Sequence, residues 1–398
     1  MKEIRILSAT GILGSGFREE TLKRAMTLKP DFIGADCGST DPGPHHLGSG
    51  EPQFSDAACK RDLRLMLLAA RAAKIPVIVG SAMTAGTDAQ LERLAGIARE
   101  IAREEKLGFK LATIASEQDR NYLKRRLREG RIKPLANAPQ FDEAVIDRSS
   151  HIVGMCGAEP YIEALANGAE VVIAGRSSDT SIFAAMPVMR GFNPATVWHA
   201  AKILECGAAC VVQRKYPDCN FAIVTDSGST FKKAERYTIK LEGAELAGYQ
   251  SIVLGSVRDP IILRQFDHWL ENLIKAARDR IRAVMGDTID SQYRLDVRQF
   301  GRNAAMGVLE PDMSIGHEVG LLFQITAPTQ KLATALAKSL SHIAVHYPVP
   351  EWTGLITSVA FPYSPAEIDK GASYRFNMNH VVEPDTPLEM FRIGYERV

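Results

Sequence analysis

Between Asp36 and Gly50 the chain gathers carboxylates, hydroxyls, a thiol and two imidazoles among glycines and prolines: Asp36-Cys37-Gly38-Ser39-Thr40-Asp41-Pro42-Gly43-Pro44-His45-His46, running on to Leu47-Gly48-Ser49-Gly50. A loop of that composition supports two kinds of chemistry. In the sharp turns set by glycine and proline, the backbone N–H groups of Gly38, Ser39 and Thr40 can face an anion while Asp36 and Asp41 transfer protons. The set Asp36, Asp41, His45 and His46 also offers the hard oxygen and imidazole ligands that suit a divalent metal ion. A capped structural turn is the plain alternative.

Other residues of the same kind recur downstream. Gly14-Ser15-Gly16 forms a glycine-rich turn ahead of a helix, a place that favours a substrate carboxylate or phosphate. Its G-x-x-G-x-G order is not a dinucleotide fingerprint, and it lacks the Gly-Lys-Ser/Thr of a P-loop. Ser81 and Glu117 each follow an apolar run, and so does Arg176, whose fork of donors can clamp a carboxylate while Asp179 orients it or acts as a base. Cys156 has no histidine at a spacing that marks a partner, so it is expected to be a packed or lining thiol.

The elements that must position these side chains alternate. Short apolar runs at Ile4–Ala9, Phe32–Ala35, Pro76–Gly80, Lys110–Ala115 and Val171–Ala174 read as buried strands, separated by segments with helical periodicity. Ser55 is expected to cap one helix, Thr87 with Gln90 forms a capping box for the next, and Gly108 stops it. Strand, polar loop and helix in repetition predict an α/β fold, a mostly parallel sheet flanked by helices. In such sheets ligands bind beyond the carboxyl ends of the strands, where Ser15, Asp36, Ser39, Asp41, Ser81, Thr84, Glu117 and Asp119 all fall.

The second half has a different pattern. Strands at Gln250–Leu254, Tyr293–Phe300, Val319–Thr326 and Leu355–Phe361, with helices marked by Leu270 to Val284 and by Gln330 to His346, give a β-α-β-β-α-β order. That order predicts an α+β, ferredoxin-like C-terminal domain. At 398 residues two domains are expected, 1–215 carrying the strand-end site and 216–398 closing its cleft.

Composition excludes several classes. A net charge of +1 gives no basic face for nucleic acid or an anionic membrane surface. No apolar run reaches the roughly 18 residues of a bilayer span, and Met1-Lys2-Glu3-Ile4-Arg5 opens as a strand, so a cytoplasmic protein is expected. Six scattered cysteines in a chain of this length read as free thiols. The run from Lys124 to Lys133 lacks interleaved aromatics and reads as a solvated helix face.

Several motifs together resemble one family. Gly157-Ala158 through Gly175-Arg176-x-x-Asp179, Leu204-Glu205-Cys206-Gly207-Ala208 and the opening strand with its glycine-rich turn are similar to the acyclic terpene utilisation AtuA family. Gly38-Ser39-Thr40-Asp41-Pro42-Gly43-Pro44, Lys240-Leu241-Glu242-Gly243-Ala244 and Arg258-Asp259-Pro260 resemble a short branch of it. Ala209-Cys210-Val211-Val212 stands where longer members carry a Gly-Gly pair and a longer middle section. The resemblance implies a catabolic setting and, in this branch, a small partner protein.

Two classes of function follow. The first is a catabolic lyase or hydratase acting on a small carboxylate or its acyl thioester. Asp36 or Asp41 with Glu117 would be base and acid, Asp179 a further catalytic carboxylate, Gly14, Ser15, Gly16, Gly38 and Arg176 would hold the carboxylate, and Ser39, Thr40 and Ser81 would donate to it or to a developing enolate. Hydrolase or isomerase chemistry uses the same residue types. The second is a non-catalytic ligand-binding or assembly subunit. A homo-oligomer is the default expectation for a soluble enzyme.

Overall fold

In the computed structural model the described residues are all but Met1 and residues 213–215, 226–229, 231–233 and 352–356. The chain forms two compact units, Met1–Glu245 with Arg375–Val398, and Leu246–Tyr374. The expected boundary at 215/216 therefore lies inside the first unit. Residues 220–225 and 241–244 explain the difference, because they pair with strands of the first unit, to which the chain end also returns.

Thirteen strands are described: β1 (Glu3–Ser8), β2 (Phe32–Asp36), β3 (Val77–Gly80), β4 (Lys110–Ala115), β5 (Ile132–Pro134), β6 (His151–Gly154), β7 (Val171–Ala174), β8 (Asn220–Thr225), β9 (Ile239–Val257), β10 (Arg294–Phe300), β11 (Val319–Ala327), β12 (Glu367–Val382) and β13 (Arg392–Arg397). In the first unit seven of them form a sheet ordered β13-β4-β7-β3-β2-β1-β8. The β4–β7, β7–β3, β3–β2 and β2–β1 pairs are parallel, whereas β13 against β4 and β8 against β1 are antiparallel. The sheet is thus mixed, a parallel centre bounded by antiparallel edge strands.

Alternate residues of the central strands feed two cores, as a sheet covered on both faces requires. Leu7, Ile33, Val79 and Ile173 pack with Leu63, Met66, Leu94 and Ile101 from the helices Asp56–Ala73 and Asp88–Glu105. Ile6, Phe32, Ile78 and Val172 pack with Tyr161, Ile182 and Phe183 from the helices Glu159–Ala166 and Asp179–Met189. Local signals set the helix starts: Ser55 accepts from Ala58 N–H, and Thr87 and Gln90 form the capping box. That second helix ends at Glu105, with Lys106 in the left-handed region as its cap, rather than running to Gly108. The ends of β9 and β12 extend the first unit, Gly154 of β6 opposite Leu241 and Ile132 of β5 opposite Val382.

The second unit runs strand, helix, strand, strand, helix, strand, in the spatial order β10-β11-β9-β12. Both β10–β11 and β11–β9 are antiparallel. The helices Phe266–Met285 and Gln330–Ala344 bury Trp269, Leu273, Leu336 and Leu340 against Val253, Leu321 and Phe323. Its last strand is β12, not the expected Leu355–Phe361. Leu355 and Ile356 lie outside the described residues, and beyond them only Ala360 makes a bridge, to Ser256. Pro362 and Pro365 supply no ladder donor, so regular pairing resumes only after them. No helix among the described residues is long and apolar enough to cross a membrane.

Candidate functional site

Three adjacent strand ends carry the polar centre of the first unit. Asp36 is the last residue of β2, Ser81 follows β3, and Arg176 follows β7 by two residues. The register Asp36 opposite Gly80 and Val79 opposite Ile173 fixes these ends side by side. The connecting backbone is strained to bring them close. Ser81, Met83 and Thr84 have φ of +51°, +54° and +115°, a region costly for residues with a Cβ and costliest for a branched one. Gly38 meets that loop so closely that a Cβ on it would lie 2.4 Å from Thr84 Cα.

Arg176 is the hub. Only 4% exposed, it donates from Nε to Glu242 Oε2 at 2.8 Å and from Nη1 to Ser81 Oγ at 3.1 Å, to Ser177 O at 2.7 Å and to Asp179 Oδ1 at 3.4 Å. Nη2 makes no hydrogen bond with the described residues. Lys240 Nζ completes the cluster with a 2.9 Å bond to Glu242 Oε1. Beneath it, Tyr161 and Ser177 share a 2.7 Å hydroxyl–hydroxyl hydrogen bond.

Burial and charge separate the carboxyl groups. Burial, reinforced by Asp179 and opposed by Arg176, raises the Asp36 carboxyl well above the usual carboxylate range. Its Oδ1 meets no partner among the described residues. Asp179 is also raised, by burial first, with Arg176 opposing and Glu205 and Asp41 adding to the rise. Burial pushes the Glu242 carboxyl up as well, yet Arg176 and Lys240 more than offset it and leave it below its usual value. Burial works against the Arg176 charge, and Glu242, Asp179 and Asp36 outweigh it. Burial therefore favours the acid form of Asp36 in the field of a permanent cation, an arrangement that pushes the protonation equilibria of neighbouring carboxyls apart.

Glu242 also lines a cavity of about 400 Å³, together with Thr40, Asn137, Lys240, Phe376 and Met378. One wall is apolar and the other carries a lysine. Asp41 is exposed at its loop, where its N–H donates to Ser39 Oγ at 3.1 Å. Of the residues expected from the sequence, Asp36, Ser81, Arg176 and Asp179 are drawn together. Thr40 reaches the cavity, and the charge of Asp41 acts on Asp179.

Others are engaged elsewhere. The N–H groups of Gly14 and Gly16 donate to Asp62 Oδ2 at 2.9 and 3.0 Å, and Ser15 Oγ donates to Ile12 O at 2.6 Å. The anion met by that turn is a fully buried side chain of the chain itself. Glu117 Oε1 takes a 2.7 Å hydrogen bond from His151 Nδ1, and Oε2 accepts from Asp88 N–H at 3.0 Å. The charges acting most on Asp36 are Asp179 and Arg176, so Glu117 belongs to a separate cluster. Among the described residues no group of three or more His, Cys, Asp or Glu is placed to hold a metal ion. Asp36, Asp41, His45 and His46 do not form the expected ligand set: Asp36 is buried in the sheet, while His46 Nδ1 is within 2.9 Å of Glu51 O. Cys156 is a buried thiol, raised by burial, as expected of a packed one.

Sequence reasoning missed Glu242, Ser177 and Tyr161 as site residues. Glu242 follows Lys240 at strand spacing, which puts both on one face, but its partner lies 66 residues away and only the β6–β9 ladder brings it there.

A family model described as "Acyclic terpene utilisation family protein AtuA" matches residues 4–212. Neither a curated protein nor a solved structure matches the chain.

Proposed function

The chain belongs to the acyclic terpene utilisation AtuA family, and on that premise we propose that its first unit is an acid–base enzyme of the lyase or hydratase class. Its substrate is a small branched carboxylate or acyl thioester arising in acyclic terpene utilisation. The observation that carries the reading is Asp36, a buried carboxyl raised well above its usual range beside a charged Arg176.

The roles follow from protonation and position. Arg176 Nη2 and Lys240 attract the carboxylate or the thioester oxygen, and Phe376 and Met378 cover the apolar chain. Asp179, a third exposed, takes the proton from water as hydroxide adds to the β-carbon. Negative charge moving onto the carboxyl or thioester oxygen is met by Arg176 and by Thr40. Asp36 then delivers its proton to the α-carbon, and both aspartates return to their starting states through solvent. The Gly14–Gly16 turn and Glu117 have no part in these steps, since Asp62 and His151 already engage them.

Proton exchange at the α-carbon tests the reading without knowledge of the natural substrate. A panel of short branched acyl thioesters and hydroxy acids incubated with protein in D2O should show deuterium uptake in at least one member, abolished by Asp36→Asn. No uptake by any member, or uptake unchanged in the variant, would remove acid–base chemistry at Asp36.

For the second unit we infer a ferredoxin-like topology. Its β-α-β-β-α-β order, its β10-β11-β9-β12 arrangement and its antiparallel neighbours support that reading.

A further inference from the structure

The second unit holds a cavity of about 730 Å³ whose lining is polar and cationic. Strand alternation builds it. Arg294, Asp296 and Arg298 point to one face of β10, while Leu295 and Val297 pack toward the core on the other. Lys370 of β12 adds a third cation, and Gln250 and Gln324 bring amides from the strands between.

The charges are not balanced within the unit. Asp296 is met by Arg294, Nε to Oδ2 at 2.6 Å. Arg298 is held in place by neutral acceptors, Gln324 Oε1 at 3.0 Å and Ala304 O at 3.2 Å. Lys370 reaches only Ala372 O at 3.4 Å. Among the described residues neither Arg298 nor Lys370 has a carboxylate in ion-pair range. Elsewhere in the unit, Arg302, Arg282 and Lys275 are paired with Asp267, Asp290 and Asp279. The loop after β10 adds donors. Asn303 N–H and Ala304 N–H both donate to Gln299 O, whereas the N–H groups of Ala305 and Met306, on the cavity wall, meet no acceptor among the described residues.

We propose that this cavity binds a small phosphate-bearing ligand, with Arg298 and Lys370 contacting the phosphate oxygens and the 304–307 loop closing on them. A guanidinium already fixed by neutral partners loses little freedom on taking up an anion, and its planar fork matches phosphate geometry. The volume suits a nucleotide-sized molecule. One carboxylate among three cations leaves a net positive site, which draws a polyanion and discriminates against a neutral solute.

The test is calorimetric titration of the full-length protein at low salt with pyrophosphate, ADP and adenosine 3′,5′-bisphosphate, with adenosine as the uncharged control. Saturable binding of at least one phosphate probe is expected, with none for adenosine. Exchanging both cations, Arg298→Gln with Lys370→Gln, should weaken it about tenfold or more, the loss of two charge-assisted contacts. Asp296→Asn should tighten it severalfold by removing the repelling carboxylate, a gain that a misfolded variant would not show. Absence of saturable binding for every phosphate probe, or binding unchanged in the double variant, would overturn the proposal. Binding confined to single-stranded oligonucleotides, with none of the mononucleotides, would also overturn it.

Discussion

Removing the charge of Glu242 should destabilise the first unit far more than removing any surface carboxylate. Glu242 and Arg176 are each about 5% exposed at the side chain and meet at 2.8 Å. At that burial the desolvation of both ions is already incurred, and only their mutual attraction and hydrogen bonds offset it. Two unit charges about 4 Å apart attract by about 4 kcal/mol at an effective dielectric of about 20. Glu242→Gln keeps shape and one acceptor but leaves the Arg176 charge unmatched on its Nε side, so a loss of about 3–5 kcal/mol is expected. The half-exposed Lys240 contributes little to that figure because solvent screens it. The assay is urea unfolding followed by circular dichroism. Replacing both partners with apolar residues, Arg176→Met with Glu242→Leu, should recover most of the stability while abolishing α-proton exchange. A loss below about 1 kcal/mol in Glu242→Gln would refute a buried pair, since values of that size are typical of exposed ones.

Two further outcomes follow from neighbouring clusters. The His151 imidazole is raised by its hydrogen bond to Glu117, so its contribution is complete below the unfolded histidine value and is lost as pH rises through the folded one. Burial pushes Glu117 up, but His151 and Asp88 N–H hold it below its usual value, so its contribution is present above the unfolded carboxylate range and lost as pH falls through the folded value. His151→Gln should therefore cost about 1–2 kcal/mol near pH 5–6 and progressively less toward pH 8, measured as unfolding free energy against pH. Asp62→Ala strips the Gly14 and Gly16 N–H groups of their buried acceptor and should cost about 2–3 kcal/mol. Faster proteolytic cleavage within residues 10–18 would accompany that loss, and an unchanged cleavage rate would contradict it.

What the sequence shows most clearly is local. Ser55 and Thr87 with Gln90 act within one helical turn, so their caps are visible from spacing alone. The placing of Asp36, Ser81 and Arg176 at neighbouring strand ends also follows from alternation, because parallel crossovers put all such ends on one side of a sheet. The partners of those side chains are a different matter. Asp62 reads as one more charged residue beside Lys60 and Arg61, yet its helix face turns it beneath the glycine-rich turn, where it supplies the anion that the turn invites. Glu117 sits at a strand end like Asp36, but β6 brings His151 to it and ties it into another cluster. The mixed edges of the first sheet are equally hidden, since β13 pairs with β4 across more than two thirds of the length of the chain.

The account rests on Asp36 being a carboxylic acid, not a carboxylate, at neutral pH. Infrared difference spectroscopy of the wild-type protein against Asp36→Asn at pH 7 reads that state directly. A protonated carboxyl band present only in the wild-type spectrum is the expected result, and its persistence well above the usual carboxylate range would follow from burial beside Asp179. An ionised carboxylate band lost in the variant, with no protonated band, would contradict the account.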